Sequence, residues 1–117
     1  MPDIIADKAD FPLELSVEEA FRILKTPPGH SMLIDVREPH EFDICHIEGA
    51  ELIPMRKIPE HLASLSKNKH LLICCHIGAR SMRVTQYLRA RGYPATSNIA
   101  GGIDAWAEKI DPSMARY

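Results

Sequence analysis

Two short apolar runs constrain this chain most: MLIDV at 32–36 and HLLICC at 70–75. Neither alternates polar with apolar residues, and a continuous run of this length reads as a strand covered on both faces. Helix-forming segments lie between and around them. ELSVEEAFRILK (14–25) has Ser16 and Glu19 at capping-box spacing, with Val17, Ala20, Phe21 and Leu24 on one helical face. EPHEFDIC (38–45) reads as a short helix with Pro39 in its first turn, and IPEHLASLS (58–66) as another. Residues 80–91 form a helix with Val84, Tyr87, Leu88 and Arg91 at helical spacing and Gly92 as its stop. AELIP (50–54) reads as a strand, ATSNI (95–99) as a weak one, and DAWAEKI (104–110) as a last short helix in which Trp106 packs. Strand–helix alternation of this kind predicts an α/β domain with a mainly parallel sheet. A chain of 117 residues, 45% apolar and without repeats or a linker, is expected to be one domain over 1–117, with 1–12 a loose N-terminal arm.

Charge and cysteine usage narrow the function classes. A net charge of −2 supplies no basic field for nucleic acid or an anionic membrane. No apolar run approaches the ~20 residues that span a bilayer. The opening MPDIIADKADF is acidic and lacks a basic segment followed by an apolar one, so no secretory signal is expected. Three cysteines is an odd count in a chain that is not cysteine-dense, which fits reduced thiols and a cytoplasmic location.

In parallel sheets the active crevice lies outside the carboxyl ends of the strands. That rule selects DVR after the first run, the 75–80 loop after the second, and AGG at 100–102. The middle place runs strand, cysteine, short loop, helix. Its backbone N–H groups can curl into a nest at a helix start, which favours negative charge, and Arg80 adds a positive one. A thiolate there would be an available nucleophile.

The segments LIDVREPHEFDICHIEGAELIPM, CHIGARS and IAGGIDAW, in this order, resemble a rhodanese domain over roughly residues 13 to 117. The ending GGIDAWAEKIDPSMARY resembles the rhodanese domains fused to ubiquitin-activating-like adenylyltransferases, although this chain has no adenylyltransferase part. The resemblance implies a rhodanese-like α/β fold, with a mainly parallel sheet of about five strands and helices on both faces. It implies a thiosulfate sulfurtransferase-type enzyme in which a loop cysteine accepts sulfane sulfur as a persulfide and passes it on. The family's loop, Cys-x-x-Gly-x-Arg, maps onto Cys75, His76, Ile77, Gly78, Ala79 and Arg80, so Cys75 carries the sulfur and no further cofactor is implied. Donors and acceptors would be small molecules such as thiosulfate, mercaptopyruvate and cyanide, or a cysteine desulfurase or sulfur-carrier protein.

Cys74 has a rival claim. Counted from Cys74, five residues precede Arg80, the spacing of the phosphate loop in cysteine phosphatases and arsenate reductases. Gly78 favours Cys75, because from Cys74 it falls one position late. Cys74 is then expected to be a strand-end thiol that packs as a small hydrophobe. Cys45 stands where the family commonly has glycine. A position wanting φ > 0 would strain a cysteine there, and its thiol reads as inert rather than as one that resolves a persulfide. The resemblance implies that Asp35 and Arg37 support the loops around the site, and Arg37 and Glu41 are spaced to pair. Arg80 has two open readings, anion binding and loop support. Ser81 reads as a helix-start cap, and His76 has no assigned direction. A metal site is not expected, because adjacent residues on a strand point apart and Cys74 and Cys75 cannot turn toward one ion. Beside the sulfurtransferase stand two other classes: a cysteine phosphatase or arsenate reductase using a similar loop, and a non-catalytic partner-binding module.

Overall fold

The computed structural model describes residues 11–26 and 29–117. The elements in chain order are β1 (Glu14–Leu15), α1 (Val17–Leu24), β2 (Ser31–Asp35), α2 (Pro39–Ile44), β3 (Glu51–Leu52), α3 (Ile58–His61), β4 (His70–Cys74), α4 (Ala79–Ala90), β5 (Thr96–Ile99) and α5 (Gly102–Lys109). The five strands form one sheet in the order β1-β5-β4-β2-β3, and every neighbouring pair is parallel.

The two continuous runs fill the sheet centre. Leu33 lies beside Leu72 and Ile34 beside Ile73, all four buried. Because successive side chains alternate, one run feeds two cores. Leu15, Leu33, Leu72, Cys74 and Ile99 pack with Val17 and Ala20 of α1 and Ile103 and Trp106 of α5. Ile34, Leu71, Ile73 and Cys75 pack on the other face with Ile58 of α3 and Val84 and Leu88 of α4. Trp106 meets Phe21 edge-on at 5.8 Å, which closes α5 against α1.

Local signals set the helix starts. Ser16 Oγ accepts from the Glu19 N–H and Glu19 Oε1 accepts from the Ser16 N–H, a closed capping box. β3 is shorter than its 50–54 reading, yet the Ile53 N–H still donates to the Asp35 carbonyl. Pro54 has no N–H to extend the ladder. The 58–66 segment is a single α-turn at 58–61 between 3-10 turns at Met55–Lys57 and Leu62–Ser64. β1 is the one element not anticipated: Glu14 and Leu15 stand ahead of the Ser16 cap and pair with Asn98 and Ile99. β5 is polar but wholly buried: Thr96 donates to the Tyr93 carbonyl, Ser97 to the Pro12 carbonyl and Asn98 Nδ2 to Glu14 Oε2, while Asn98 Oδ1 finds no partner among the described residues. Arg91, grouped with the helix face at the sequence level, is exposed just past the end of α4.

Of the arm expected over 1–12, residues 1–10 lie outside the described residues. Phe11 and Pro12 are tied down: His70 Nε2 lies 2.8 Å from Ser97 Oγ, Ser97 donates to the Pro12 carbonyl, and Phe11 packs edge-on against His70. Since the Ser97 hydroxyl spends its hydrogen on Pro12, His70 Nε2 is the donor. No helix among the described residues is long and apolar enough to cross a membrane.

His70 generates a stability test. Burial, and beyond it the nearby Arg89 charge, push the imidazole down to about 4 from its ordinary 6.5. Between those values the unfolded chain takes up a proton that the folded chain refuses, so stability is full above pH 6.5 and is lost as pH falls toward 4. Urea midpoints at pH 7 and pH 5 should show this loss, at a slope of up to ~1.4 kcal/mol per pH unit. His70→Gln should flatten that segment of the profile. An unchanged slope in the variant would remove His70 as its source.

Candidate active site

The strand order places the site. From β2 the chain moves outward to β3, and from β4 it moves the other way to β5. The crevice between the carboxyl ends of β2 and β4 is therefore the topological switch point. Asp35 lies beside Cys74 there, and the Val36 N–H donates to the Cys74 carbonyl at 3.0 Å.

Alternation separates the two cysteines. The Cys74 side chain enters the α1/α5 core and that of Cys75 the α3/α4 core, beneath the start of α4. Burial pushes the Cys74 thiol well up, with Asp35 adding to the shift. Cys75 Sγ has a different setting. It accepts from the Gly78 N–H at 3.1 Å, the Ser81 N–H at 3.3 Å and the Ser81 hydroxyl at 3.2 Å. The loop must turn sharply to aim these donors at one atom, and Gly78 makes that turn at φ 110° as the N-cap of α4. Ser81, expected to cap the helix, is in its third position instead, and its hydroxyl joins the sulfur cradle. Among the described residues, no carbonyl or side chain takes the N–H groups of Ile77, Ala79 and Arg80 at the open start of α4.

The outer side of the loop is held from below. The Ile103 N–H donates to the Cys75 carbonyl at 2.8 Å and the Asp104 N–H to the His76 carbonyl at 3.0 Å. These are first-turn amides of α5, so the loop carbonyls satisfy a helix start that would otherwise be bare. A side chain on Gly102 would run into those same carbonyls. This is the chemical content of the AGG stretch at 100–102.

Charged groups brace the flank. Arg37 is fully buried and donates to Asp35 from Nε and Nη2, the latter at 2.7 Å. Its remaining donors go to the Cys45 carbonyl at 2.7 Å, the Glu41 carbonyl at 3.2 Å and the Tyr117 hydroxyl at 2.9 Å. Burial alone would lower the guanidinium's proton affinity, but Asp35 and Tyr117 outweigh it and the group stays charged. Pairing of Arg37 with the Glu41 side chain does not occur. Asp35 takes Arg37, and the Glu41 carboxylate takes Arg80 in a fork of 2.8 and 2.9 Å. Hydrogen bonds from Arg80, opposed by burial, hold the Glu41 carboxyl well below its ordinary range. This pair ties Arg80, at the start of α4, to Glu41 of α2. His76 stacks on the Tyr117 ring, with centroids 4.0 Å apart. Ile77 is exposed at the rim, as is Ala79.

Cys45 is not strained. Its φ of −166° is extended backbone, so no left-handed turn exists there. Its carbonyl faces Arg37 and its side chain packs in the cluster with Cys74, across the sheet from that of Cys75. Two contributors escaped the sequence reading: Glu41 as the partner of Arg80, and Tyr117. Glu38 and Glu41 stand at capping-box spacing in the sequence, and the Glu38 N–H donates to Glu41 Oε1 at 3.0 Å. Tyr117 had no local signal, being 76 residues from Glu41 in sequence. Among the described residues, no three potential metal ligands come together.

Residues 16–109 match the family described as the rhodanese-like domain. A protein named "Sulfurtransferase" from Allochromatium vinosum is 37% identical over 84 residues, covering 72% of this chain and 78% of that protein. The probable adenylyltransferase/sulfurtransferase MoeZ of Mycobacterium tuberculosis is 40% identical over 87 residues, 73% of this chain but 22% of MoeZ. A rhodanese-like/PpiC domain-containing protein of Arabidopsis thaliana is 34% identical over 89% of this chain, which spans only 37% of that relative. In structure, the rhodanese-like domain protein of Staphylococcus aureus superposes with a TM-score of 0.76 at 32% identity, over 91% of this chain and 99% of that one. With its parallel five-stranded sheet and a family match that covers most of its length, this chain belongs to the rhodanese-like domain family.

Proposed function

We propose that this chain is a sulfurtransferase that works through a persulfide on Cys75. The observation that carries the reading is the convergence of the Gly78 N–H, the Ser81 N–H and the Ser81 hydroxyl on Cys75 Sγ. Donors fixed before the reaction stabilise charge on sulfur without reorganising. The thiolate, not the thiol, is the attacking species.

In the first step Cys75 Sγ attacks the outer sulfur of a donor such as thiosulfate. A bond forms between Sγ and that sulfur, the donor's S–S bond breaks, and sulfite leaves with the electron pair. In the second step an acceptor nucleophile attacks the terminal sulfur. The Sγ–S bond then breaks, its pair returns to Sγ, and cyanide as acceptor leaves as thiocyanate. The Ile77, Ala79 and Arg80 amides, for which no acceptor is found among the described residues, would be the donors to the extra sulfur. Cys75 is only 1% exposed, so a slim terminus such as a sulfane sulfur reaches it more readily than a bulky group. A persulfidated cysteine desulfurase as donor, or a sulfur-carrier protein as acceptor, presents the same thin terminus. The phosphatase reading requires Cys74 as nucleophile, and that thiol is buried in the opposite core and driven toward its neutral form.

Three outcomes test the reading. Cys75→Ser should abolish sulfur transfer to cyanide, while Cys74→Ser keeps most of it at a stability cost on the order of 1–3 kcal/mol for a buried hydroxyl. The reverse pattern would place the nucleophile one residue earlier. Arg80→Ala should slow anionic and neutral donors by similar factors, because Glu41 already occupies the guanidinium. A loss confined to anionic donors would make Arg80 a substrate ligand. One residue inserted within 76–79 should pull the loop donors out of hydrogen-bonding reach, and losing one such donor typically costs ~10²–10³ in rate. Aryl phosphate hydrolysis by the unaltered chain that disappears in Cys74→Ser would favour the phosphatase instead.

A further inference from the structure

The hydroxyl of Tyr117 accepts from Arg37 Nη1 at 2.9 Å and donates to Glu41 Oε2 at 2.9 Å. Its ring stacks on His76, one residue after the cysteine, with an interplanar angle of 11°. One side chain thus touches the loop and the brace behind it. The approach of this segment is itself fixed: Arg116 pairs with Asp104 at 2.8 Å, and the Asp104 N–H donates to the His76 carbonyl.

We propose that Tyr117 is a positioning residue for the Cys75 nucleophile, acting through Glu41 and Arg80 with its hydroxyl and through His76 with its ring; the proposal rests on the sulfurtransferase reading above. The path is short. Glu41 Oε2 receives both the Tyr117 hydroxyl and Arg80 Nη2. Arg80 immediately precedes Ser81, which supplies two of the three donors to Sγ. Without the phenol hydrogen bond, Glu41 can swing about its remaining contacts, and Arg80 and the first turn of α4 swing with it. A misplacement of about 1 Å at a reacting centre is enough to cost ~10²-fold in rate. Burial, reinforced by the Glu41 carboxylate and opposed by Arg37, keeps the phenol above its ordinary range, so at neutral pH it remains a donor.

The test uses the full chain with Tyr117→Phe, which keeps the stack and removes the hydroxyl, and Tyr117→Leu, which removes both. Sulfur transfer from thiosulfate to cyanide is read at saturating and limiting donor. In parallel, alkylation of Cys75 by iodoacetamide is followed by mass. The expected result for Tyr117→Phe is a kcat about 10-fold lower with KM unchanged, slower alkylation, and a fold that stays intact at the assay temperature; a 10-fold loss is well inside what loop misplacement costs. Tyr117→Leu should lose more, so that Phe gives partial rescue. In a Glu41→Gln background, adding Tyr117→Phe should cost little further, because both act through one carboxylate. Independent multiplication of the two losses, or a Tyr117→Phe protein with unaltered kcat and alkylation, overturns the proposal. If no donor yields transfer in the unaltered chain but Tyr117→Phe still slows alkylation, the functional reading falls and the positioning role stands. If transfer proceeds and both Tyr117 variants match the unaltered chain, the positioning role falls alone.

Discussion

The buried Arg37–Asp35 pair is the constraint from which the site is built. Arg37 has no exposed surface, and its five N–H donors meet Asp35, the Cys45 and Glu41 carbonyls and the Tyr117 hydroxyl. A guanidinium is tolerated in such a place when its charge is paired and most of its donors are matched. Deleting one partner strands the other charge, at about 3–5 kcal/mol. One residue thereby joins the end of β2, the end of α2 and the far end of the chain. Moving any of these groups away would uncover part of a buried charge.

The electrostatics of the sulfur pocket follow from what that frame leaves free. Arg80, the obvious cation, is neutralised by Glu41 in a two-point contact. The groups in direct contact with Sγ are oriented dipoles, the Gly78 and Ser81 N–H and the Ser81 hydroxyl. Dipoles are weaker than a full charge at a distance but act strongly at close range on a single atom. That would suit the proposed persulfide, which gains one sulfur and then gives it up. A free arginine would hold a sulfonate more firmly and let it go more slowly.

The fold was readable because the apolar runs at 32–36 and 70–75 can only be central strands, and because the Ser16/Glu19 box marks a helix start. The proposed nucleophile also stands out in the sequence, from Gly78 placed three residues after Cys75. The misses have physical reasons. Two-residue β1 is too short to show a period, and its pairing with β5 is a tertiary event. Cys45 was judged by a glycine that other chains place there, whereas its own backbone is extended and needs none. Glu41 was paired with the nearer arginine, and burial of Asp35 beside Arg37 decided otherwise. Tyr117 lies far along the sequence from every group it touches, so no local pattern announces it.

The contact between α5 and the loop couples two motions. The Ile103 and Asp104 amides are spent on the Cys75 and His76 carbonyls, and Gly102 lets the backbones meet. Swinging the loop outward must break those two bonds and leave the first turn of α5 uncapped, which frays it. Isotope exchange at these two amides would therefore report any such opening of the loop together with fraying of the helix. Two backbone protons, neither on the cysteine, keep time for how often the sulfur can be reached.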